Sequence, residues 1–430
     1  MKALILVDDY QARADSNSQK SPICLVSVAS KPVLEYSIEC CEASEIITEI
    51  IILTYHHIDQ FKAYCEQRKK TKPLVCIKET QPLGTAGALH NIEFDTSETC
   101  LVMDGANVCM VNIDAFIRWH QQKQALMSIL IQPNDHPFEG DLVCCDKDDR
   151  VISVIPKPHP QNEYFPNCVN TGCYIINTQL KSYIPKNETS DFGTHILPKV
   201  CKTDAVYGYY TSAYVQNIKI ADRMKQIEND VLAGKLLAYK ESQPRPTVFL
   251  DRDGVINEDF SYIKTDEEFI LYSFAAKAIK QLNQAGFLVI VVTNQSVIAR
   301  GVCSEEMLKK IHNKMETQLG RQGAYIDKIY YCPHHPDKHV SKEATALKVE
   351  CSCRKPKPGM ILQATKDFTI DLSQSFLIGD SERDIQSAHA AGVTAIGVKT
   401  GNAVQGKTKP EYVCENLEDA VELILSLLNK

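Results

Sequence analysis

Hydrophobic residues in this chain occur in short runs that end in polar or acidic residues, and these runs alternate with amphipathic stretches. The runs at residues 3–7 and 247–250 are predicted strands, and each opens one half of the chain. Strands that alternate with helices are typical of parallel sheets with helices packed on their faces. The pattern therefore predicts an α/β protein made of two Rossmann-like three-layer domains. Further predicted strands are EIIILTY, PLVCIKE, CLVMDG, ALMSILIQ, CYIINT, FLVIVVTN, SFLIGD and TAIGVKT, and the predicted helices cover residues 31–43, 113–124, 220–239 and 274–285.

The clearest linker is the segment KESQPRPT at residues 240–247, which is polar and contains two prolines. Proline and polar residues between periodic segments mark a loop rather than a regular element. At roughly 150 residues per domain, a chain of 430 residues is long enough for two or three domains. We predict two, residues 1–241 and residues 242–430.

Composition narrows the function classes. The chain is 44% hydrophobic and carries 54 acidic against 47 basic residues, a net charge of -7, so it lacks the broad positive field of a nucleic-acid-binding protein. Its opening, MKALILVDD, turns acidic too early for a signal peptide, and no long apolar run predicts a membrane span. Seventeen cysteines, an odd number in a long chain, favour a reducing compartment. We therefore expect a cytoplasmic protein with a small-molecule partner, neither membrane-bound nor bound to nucleic acid.

The second predicted domain opens with a strand followed by DRDGVIN, which brings two carboxylates to the end of that strand. Side chains two residues apart on an extended segment point the same way, so Asp251 and Asp253 can face one ligand. One carboxylate can attack phosphorus while the other handles the proton of the leaving group. The alternative is a turn with solvated carboxylates.

Three later motifs in the same half suit phosphate chemistry. The run VVTNQS ends in the hydroxyl of Thr293, CRKPKPG supplies Arg354 and Lys355, and LIGDSERD supplies Asp380 and Asp384. Each has a simpler explanation, such as helix capping or a solvated charge. Taken together at successive strand ends, they favour phosphoryl transfer through an aspartyl-phosphate, with Mg²⁺ held by hard oxygen ligands.

The order of these motifs resembles the haloacid dehalogenase (HAD) superfamily, and in particular its branch of histidinol-phosphate and D-glycero-D-manno-heptose 1,7-bisphosphate phosphatases. The similarity covers residues 246–428 and rests on FLDRDGVIN, TNQS-x-IARG, CPHHPD, CRKPKPGM and IGDSERD. It implies a HAD-like fold in which Asp251 is the nucleophile and Asp253 the general acid and base. It also implies that Asp251, Asp253 (through its backbone carbonyl) and Asp380 hold Mg²⁺. By the same resemblance, Thr293 and Lys355 steady the phosphoryl group, and the substrate-binding residues are Asp259, Tyr262, Asn294, Gln295, Ser296 and Arg354.

Two positions depart from the pattern of this branch. Val297 stands where the family usually has Gly, and Ser381 stands at a position that is often Lys. The first departure is expected to change the loop after TNQS. The second bears on which substrate is accepted.

A second metal site is predicted from paired soft ligands. Cys332 and His334 form one close pair, and Cys351 and Cys353 form another, in polar sequence rich in proline. Three cysteines and one histidine form a closed tetrahedral set for structural Zn²⁺. His335 is an alternative ligand, and the alternative to a metal site is that these cysteines pack as small hydrophobic residues. The phosphatase branch binds zinc through the same pairs, so the resemblance implies it here too.

The first half of the chain resembles the sugar-1-phosphate nucleotidyltransferases over residues 1–235, which implies a GT-A fold. The matches include PLGTAGAL at 82–89, NTGCYIIN at 170–177 and DFGTHILPKV from residue 191. The catalytic features are mostly absent. The paired glycines of the phosphate loop are replaced by Asp8 and Asp9, a lysine by Ile23, and a metal-binding aspartate by Ala106, although Arg13 is kept. Carboxylates in place of glycines would repel phosphate, so this domain is predicted to be a catalytically degenerate transferase.

Four functions follow from these features. We expect an Mg²⁺-dependent phosphatase of a sugar phosphate, in the first instance heptose 1,7-bisphosphate at the 7-position. Its alternatives are a phosphatase of histidinol phosphate or another small phosphomonoester, a bifunctional enzyme with an active nucleotidyltransferase, and a non-catalytic sensor. We hypothesise that the N-terminal domain scaffolds, regulates or dimerises the phosphatase, so that a homo-oligomer would form through it. Its GTAGA stretch either binds a nucleotide or sugar phosphate or is a turn kept for packing.

Overall fold

The structure, a computed structural model, describes residues 1–7, 22–69, 71–94, 98–219, 223–336 and 346–428. These residues form two compact units. The first comprises Met1–Gln132, Glu139–His159 and Cys168–Glu241, and the second comprises Pro133–Phe138, Pro160–Asn167 and Ser242–Lys430. Asp8, Asp9 and Arg13 of the predicted transferase loop lie outside the described residues.

A mixed sheet forms the centre of the first unit. In its described part, nine strands follow the order β10-β9-β11-β6-β1-β4-β5, with β8 added beside β11 and β12 beside β8. The strands of this unit are β1 (Lys2–Leu6), β2 (Ser27–Val28), β3 (Lys31–Pro32), β4 (Glu49–Thr54), β5 (Leu74–Lys78), β6 (Thr99–Asp104), β7 (Asn107–Cys109), β8 (Met127–Gln132), β9 (Leu142–Cys145), β10 (Val151–Ile155), β11 (Val169–Asn177), β12 (Val206–Tyr210) and β13 (Val215–Asn217).

The sheet of this unit is mixed, although the strand and helix pattern is typical of parallel strands. Strands β1, β4, β5 and β6 are parallel neighbours, but β11 runs antiparallel to β6, β8 and β9. The apolar run of β11 predicts a buried strand without stating its direction, because burial on both faces looks the same in either orientation. The helices of the unit are α1 (Val33–Ala43), α2 (Ile58–Gln67), α3 (Gly84–Gly87), α4 (Ile113–Lys123), α5 (Leu197–Val200), α6 (Arg223–Leu232) and α7 (Lys235–Ala238).

The long helix predicted over residues 220–239 is interrupted. Gly234 adopts a left-handed backbone conformation with φ of 75°, so α6 ends at Leu232 and α7 begins at Lys235. Glycine adopts this conformation without steric cost and commonly terminates helices. The hydrophobic periodicity continues across the break, which is why the pattern alone predicts one helix.

The second unit is a parallel sheet with the strand order β16-β15-β14-β17-β18-β19 among its described residues. Because β14 is central and the chain continues to one side of it with β15 and to the other with β17, the strand order reverses there. In open α/β sheets, ligands bind at such a point, outside the carboxyl ends of the strands. The elements are β14 (Thr247–Leu250), α8 (Ala275–Gln284), β15 (Leu288–Asn294), α9 (Glu305–Gly320), β16 (Lys328–Cys332), α10 (Gly359–Asp367), β17 (Phe376–Gly379), α11 (Glu382–Ala391), β18 (Thr394–Val398), β19 (Tyr412–Cys414) and α12 (Leu417–Leu428).

The core of this unit lies on both faces of the sheet. Val248, Leu250 and Val291 face one layer, and Phe249 and Ile290 face the other, all fully buried. Strands buried on both faces are apolar throughout, as the sequence indicates for parallel sheets. The α/β class predicted from the sequence is confirmed. Among the described helices of the whole chain, none is long and apolar enough to cross a membrane.

Candidate active site

The polar residues that follow β14, β15 and β17 converge on one cavity of about 210 Å³. Strand β14 ends at Leu250 and is followed by Asp251, β15 ends with Thr293 and Asn294, and β17 is followed by Asp380. All eleven residues predicted to bind phosphate, substrate or Mg²⁺ line this cavity: Asp251, Asp253, Asp259, Tyr262, Thr293, Asn294, Gln295, Ser296, Arg354, Lys355 and Asp380.

The Lys355 side chain is 2% exposed and binds two carboxylates in the interior of the site. Its Nζ lies 2.9 Å from Asp251 Oδ2 and 2.6 Å from Asp384 Oδ1, and it donates to the Val292 carbonyl at 2.7 Å. Burial by itself would lower the pKa of Lys355, but the two carboxylates raise it above its ordinary value. The two carboxylates therefore favour the charged ammonium beside Asp251.

A buried arginine fixes the second carboxylate of the DRDG motif. The Arg252 guanidinium, fully buried, donates to both oxygens of Asp253 at 2.8 and 2.9 Å. Asn257 Nδ2 donates to Asp253 Oδ1 at 3.0 Å, and Gln295 Nε2 donates to Asp253 Oδ2 and to Thr293 Oγ1, both at 2.9 Å. Burial would raise the pKa of Asp253, but the Arg252 charge and these hydrogen bonds hold it below its ordinary value.

A group of three carboxylates fits a divalent cation. Asp251, Asp380 and Asp384 each place an oxygen within 4.8 Å of the others, and Lys355 supplies the only positive charge that pairs with them in the described site. When all three carboxylates are ionised, one ammonium leaves two of these buried negative charges uncompensated. Buried charges without partners are costly, so this donor set suits Mg²⁺, a hard cation that prefers carboxylate oxygens.

The electrostatics of the carboxylates agree with that fit. Burial, followed by the neighbouring carboxylates Asp384 and Asp380, raises the pKa of Asp251 to about 8 even though Lys355 opposes the shift. Burial also raises the pKa of Asp380 to about 6, against hydrogen bonds from the Asn402 backbone and side chain at 2.7 and 2.8 Å. A cation among these oxygens would favour their ionised forms.

Close packing brings Gly254 against the carboxylate of Asp380. Gly254 has φ of 78°, and a Cβ there would lie 2.5 Å from Asp380 Oδ2 and 3.1 Å from the Gly401 Cα. The glycine of the DRDG motif is therefore required both by its backbone conformation and by the approach of the carboxylate.

The four predicted zinc ligands form a second cluster in this unit. Sulfur-to-sulfur distances among Cys332, Cys351 and Cys353 are 3.2, 3.2 and 3.5 Å, and His334 Nδ1 lies 3.3 and 3.6 Å from two of the sulfurs. Disulfide sulfurs would be about 2.05 Å apart. Ligand atoms about 2.0–2.3 Å from one zinc ion lie a little under 4 Å from each other, close to the observed spacing. The alternative ligand, His335, is not in this group; its Nε2 lies 3.0 Å from Arg300 Nη2.

Several residues of the site were not singled out from the sequence. Arg252 and Asn257 hold Asp253, Asn402 holds Asp380, and Arg300 and Arg383 line the cavity. The signal for Asn402 is weak but present, because the polar TGN segment follows β18 after one residue, Lys399, at the same edge of the sheet. A fully buried arginine beside a motif aspartate gives no signal in a single sequence.

The two departures from the phosphatase pattern are accommodated without distortion. Val297 is 3% exposed and packs in the core, and its backbone does not enter the left-handed region that would require glycine. Ser381 begins α11 with a reciprocal capping box, in which its backbone N–H donates to Asp384 Oδ2 at 3.0 Å. The capping orients Asp384 toward Lys355.

In the first unit, the sequence predicts that a metal-binding carboxylate is replaced by Ala106. The structure adds that a lysine pairs with the aspartate that remains nearby. The remaining carboxylate at the end of β6, Asp104, accepts from Lys219 Nζ at 2.9 Å and from Asn217 Nδ2 at 3.1 Å, next to Ala106. Within the described residues of this unit, no group of three metal-ligating side chains is found. Gly84 of the GTAGA stretch has φ of 79°, and a Cβ there would lie 2.7 Å from the Ser190 carbonyl, so packing explains this glycine.

Comparisons with known proteins agree with the two-part organisation. Residues 17–214 match the nucleotidyl transferase family model, and residues 352–420 match the HAD-hydrolase-like model. The resemblance predicted for each half of the chain is therefore confirmed at the level of the family.

Relatives of known name align with the second half. The D-glycero-beta-D-manno-heptose-1,7-bisphosphate 7-phosphatase of Yersinia pestis is 38% identical over 186 residues, which cover 43% of this chain and 97% of that protein. The protein of the same name from Rhodopseudomonas palustris is 46% identical over 149 residues, 35% of this chain and 81% of that protein. A crystal structure of D,D-heptose 1.7-bisphosphate phosphatase from B. bronchiseptica, complexed with magnesium and phosphate, is 37% identical with a TM-score of 0.38, covering 42% of this chain and 99% of that one.

The second half of the chain is thus a HAD-like phosphoric monoester hydrolase, and in the sequence it follows an N-terminal nucleotidyltransferase-like domain. Through that half, the chain belongs to the D-glycero-beta-D-manno-heptose-1,7-bisphosphate 7-phosphatase family.

The buried pair of Lys355 and Asp384 leads to a prediction for stability. Changing Asp384 to Asn leaves the buried ammonium with one carboxylate, and we expect a loss of about 3–5 kcal/mol in the stability of the second unit. The free energy of unfolding is measured by a urea titration in which hydrogen exchange is monitored in peptides from this unit. The matched control is Glu418→Gln, which removes the exposed pair with Lys277 and should cost no more than about 1 kcal/mol. Equal losses in the two variants would contradict the prediction.

Proposed function

We propose that the protein is an Mg²⁺-dependent phosphatase that hydrolyses a sugar phosphate, D-glycero-D-manno-heptose 1,7-bisphosphate at the 7-position, through an aspartyl-phosphate. The observation that carries this proposal is the position of Asp251, whose carboxylate lies 2.9 Å from the buried Lys355 ammonium on the wall of the cavity. The names of the relatives supply the substrate.

Mg²⁺ would be held by Asp251, the Asp253 backbone carbonyl and Asp380, with Asp384 close to the same oxygens. When bound, the ion supplies charge neutralisation between the carboxylates and the phosphoryl oxygens. Lys355 and the Thr293 hydroxyl would bind the phosphoryl oxygens from the protein side, because both line the cavity beside Asp251. Positive charge on both sides of the phosphoryl group lets a carboxylate approach an anionic phosphorus.

In the first step, an oxygen of Asp251 attacks phosphorus. The new carboxylate–phosphorus bond forms as the bond from phosphorus to the sugar oxygen breaks, and that oxygen takes a proton from Asp253. Asp253 takes up this proton when the substrate binds, because the neighbouring phosphate anion raises the carboxyl pKa. The sugar leaves as an alcohol. The Arg252, Asn257 and Gln295 contacts keep the Asp253 carboxyl group aimed into the cavity for this transfer.

In the second step, water attacks the phosphorus of the aspartyl-phosphate. Asp253 accepts the proton that the water loses, the bond between phosphorus and the Asp251 oxygen breaks, and inorganic phosphate leaves. Both side chains return to their starting protonation states, so the cycle balances. The residues that would bind the rest of the substrate also line the cavity: Asp259, Tyr262, Asn294, Gln295, Ser296 and Arg354.

Substitution of the nucleophile tests this mechanism. Asp251→Asn removes the attacking oxygen, and we expect phosphate release to fall by at least about 10⁴-fold, as for other enzymes that lose a covalent nucleophile. The assay is phosphate release from heptose 1,7-bisphosphate, histidinol phosphate and common sugar phosphates. Asp367→Asn, an exposed carboxylate on α10, is the matched control and should retain turnover. Turnover by Asp251→Asn would rule out Asp251 as the nucleophile, and a preference for histidinol phosphate would favour the alternative substrate.

A structural Zn²⁺ held by Cys332, His334, Cys351 and Cys353 is the second part of the proposal. The spacing of these four ligand atoms supports it, and so does the position of Cys353 directly before Arg354 and Lys355. A closed four-ligand site leaves no position for substrate, so this zinc would order the loop rather than take part in the reaction.

Metal analysis tests the zinc site. We expect one zinc per chain in protein purified without chelator, and a loss of that zinc in Cys351→Ser because a thiolate ligand is removed. Cys414→Ser is the control, since this half-buried cysteine on β19 is outside the ligand group. Absence of zinc from the unaltered protein would overturn this part of the proposal.

For the N-terminal domain we propose a non-catalytic role that scaffolds, regulates or dimerises the phosphatase. The observation that favours this over an active transferase is the ion pair of Lys219 with Asp104, which places a cation where a metal carboxylate would have to act, beside Ala106. Nucleotidyl transfer depends on metal ions that neutralise the triphosphate.

We therefore expect no nucleotidyl transfer above background when the full chain is incubated with a sugar 1-phosphate and ATP, CTP, GTP or UTP. Pyrophosphate release measures the reaction. Transfer above background with any of the four would establish a bifunctional enzyme in place of the degenerate domain.

A further inference from the structure

One part of the cavity, here called the outer wall, is formed by three arginines and His335, and two of these arginines, Arg300 and Arg383, have no role assigned above. Arg300, Arg354 and Arg383 all line it, together with His335. They come from three separate parts of the chain: the segment after β15, the loop before α10, and the first turn of α11. Three guanidinium groups that share one cavity repel each other unless an anion lies between them.

Two of these arginines are fixed by neighbours in the wall. Arg300 Nη2 lies 3.0 Å from His335 Nε2, and its guanidinium lies over the Tyr262 ring at 5.3 Å from the centroid. Arg354 Nη1 donates to the His334 carbonyl at 3.2 Å. Their charges are therefore held in place before any ligand arrives.

Arg383 differs from both. It is exposed, and within the described part of the chain it forms neither an ion pair nor a hydrogen bond. It lies in the first turn of α11, where the helix dipole disfavours a positive charge. An anion in the cavity would offset this unfavourable position of the charge.

Most carboxylates that line the same cavity are already paired or grouped for a cation, so they do not neutralise the arginines of the outer wall. Asp253 is paired with the buried Arg252, and Asp251 is paired with Lys355. Asp380 belongs to the carboxylate group that suits a cation. On the outer wall, only Asp259 remains as a carboxylate among the cavity-lining residues, and it accepts from Asn402 Nδ2 at 3.3 Å. Three guanidinium groups against one carboxylate give a net positive wall.

We propose that Arg383, with Arg300 and Arg354 beside it, binds a second anionic group of the substrate and makes the enzyme selective for sugars that carry a phosphate besides the one removed. This inference rests on the proposed phosphatase function and adds a specificity-determining residue to it.

The same charge distribution argues against the alternative substrate. Histidinol phosphate has no second phosphate: its ammonium lies on the carbon next to the phosphate-bearing CH2 group, and its remote end is an imidazole. Three guanidinium groups would have no anion to bind at that remote end, whereas a second phosphate would make charge-assisted hydrogen bonds with them.

The test compares two substrates that differ only in the second phosphate, heptose 1,7-bisphosphate and heptose 7-phosphate. The quantity measured is the ratio of kcat/KM for the bisphosphate to kcat/KM for the monophosphate. A hydrogen bond to a charged group contributes enough that Arg383→Gln should lower this ratio by about 10-fold or more. The loss should appear in KM, and Arg383→Glu should lower the ratio further because it reverses the charge. The matched control, Lys366→Gln, removes an exposed positive charge on α10 outside the cavity and should leave the ratio within about 2-fold of the unaltered enzyme.

The outcomes separate this inference from the function on which it rests. If the unaltered enzyme prefers the bisphosphate and Arg383→Gln keeps the same ratio, Arg383 is not a specificity residue, while the proposed function stands. If the unaltered enzyme releases phosphate from neither sugar, the proposed function itself fails. A ratio that falls in Arg383→Gln and Arg383→Glu but not in Lys366→Gln supports the inference.

Discussion

The site depends on one buried interaction, the ammonium of Lys355 between the carboxylates of Asp251 and Asp384. Asp251 follows β14, Asp384 lies in α11 after β17, and Lys355 is brought in by a loop from outside the sheet. An ammonium that is 2% exposed is stable only where its charge is paired, so these three segments are tied to one position. The hydrogen bonds between Asn294 and the Lys355 backbone, at 3.0 and 3.1 Å, tie in the end of β15 as well.

The loop that carries Lys355 links three sites through consecutive residues. Cys353 is in the thiol and imidazole cluster, Arg354 lies in the cavity wall, and Lys355 is in the buried ion pair. A displacement of any one of them by an ångström would move the other two, since neighbouring Cα atoms are a fixed 3.8 Å apart. A metal that ordered this loop would therefore fix the positions of the Arg354 and Lys355 charges in the active site without taking part in the reaction.

The sequence predicted the parts of the site that follow from strand ends and motif spacing. Asp251, Thr293 and Asp380 each come directly after or at the end of an apolar run, and parallel strands bring such positions to one edge. The contribution of Arg252 could not be predicted, because a charged residue becomes fully buried only through the tertiary contacts of Asp253 and His312 around it. The antiparallel direction of β11 and the helix break at Gly234 were missed for a similar reason: hydrophobic periodicity records burial, and it carries neither strand direction nor backbone handedness.

The net charge of the protein and the charge of the outer cavity wall have opposite signs. The distance from a bound phosphate to each charged group decides which of the two acts on it. The chain as a whole carries a charge of -7, which would oppose an anionic substrate if charges acted over long distances. At physiological ionic strength, interactions between exposed charges are largely screened beyond about 8 Å. A substrate at the mouth of the cavity is therefore governed by the groups within that distance, and those on the outer wall are Arg300, Arg354 and Arg383. An acidic protein would therefore bind a sugar with two phosphate groups through the few arginines of the cavity wall, because they act over distances at which screening is weak.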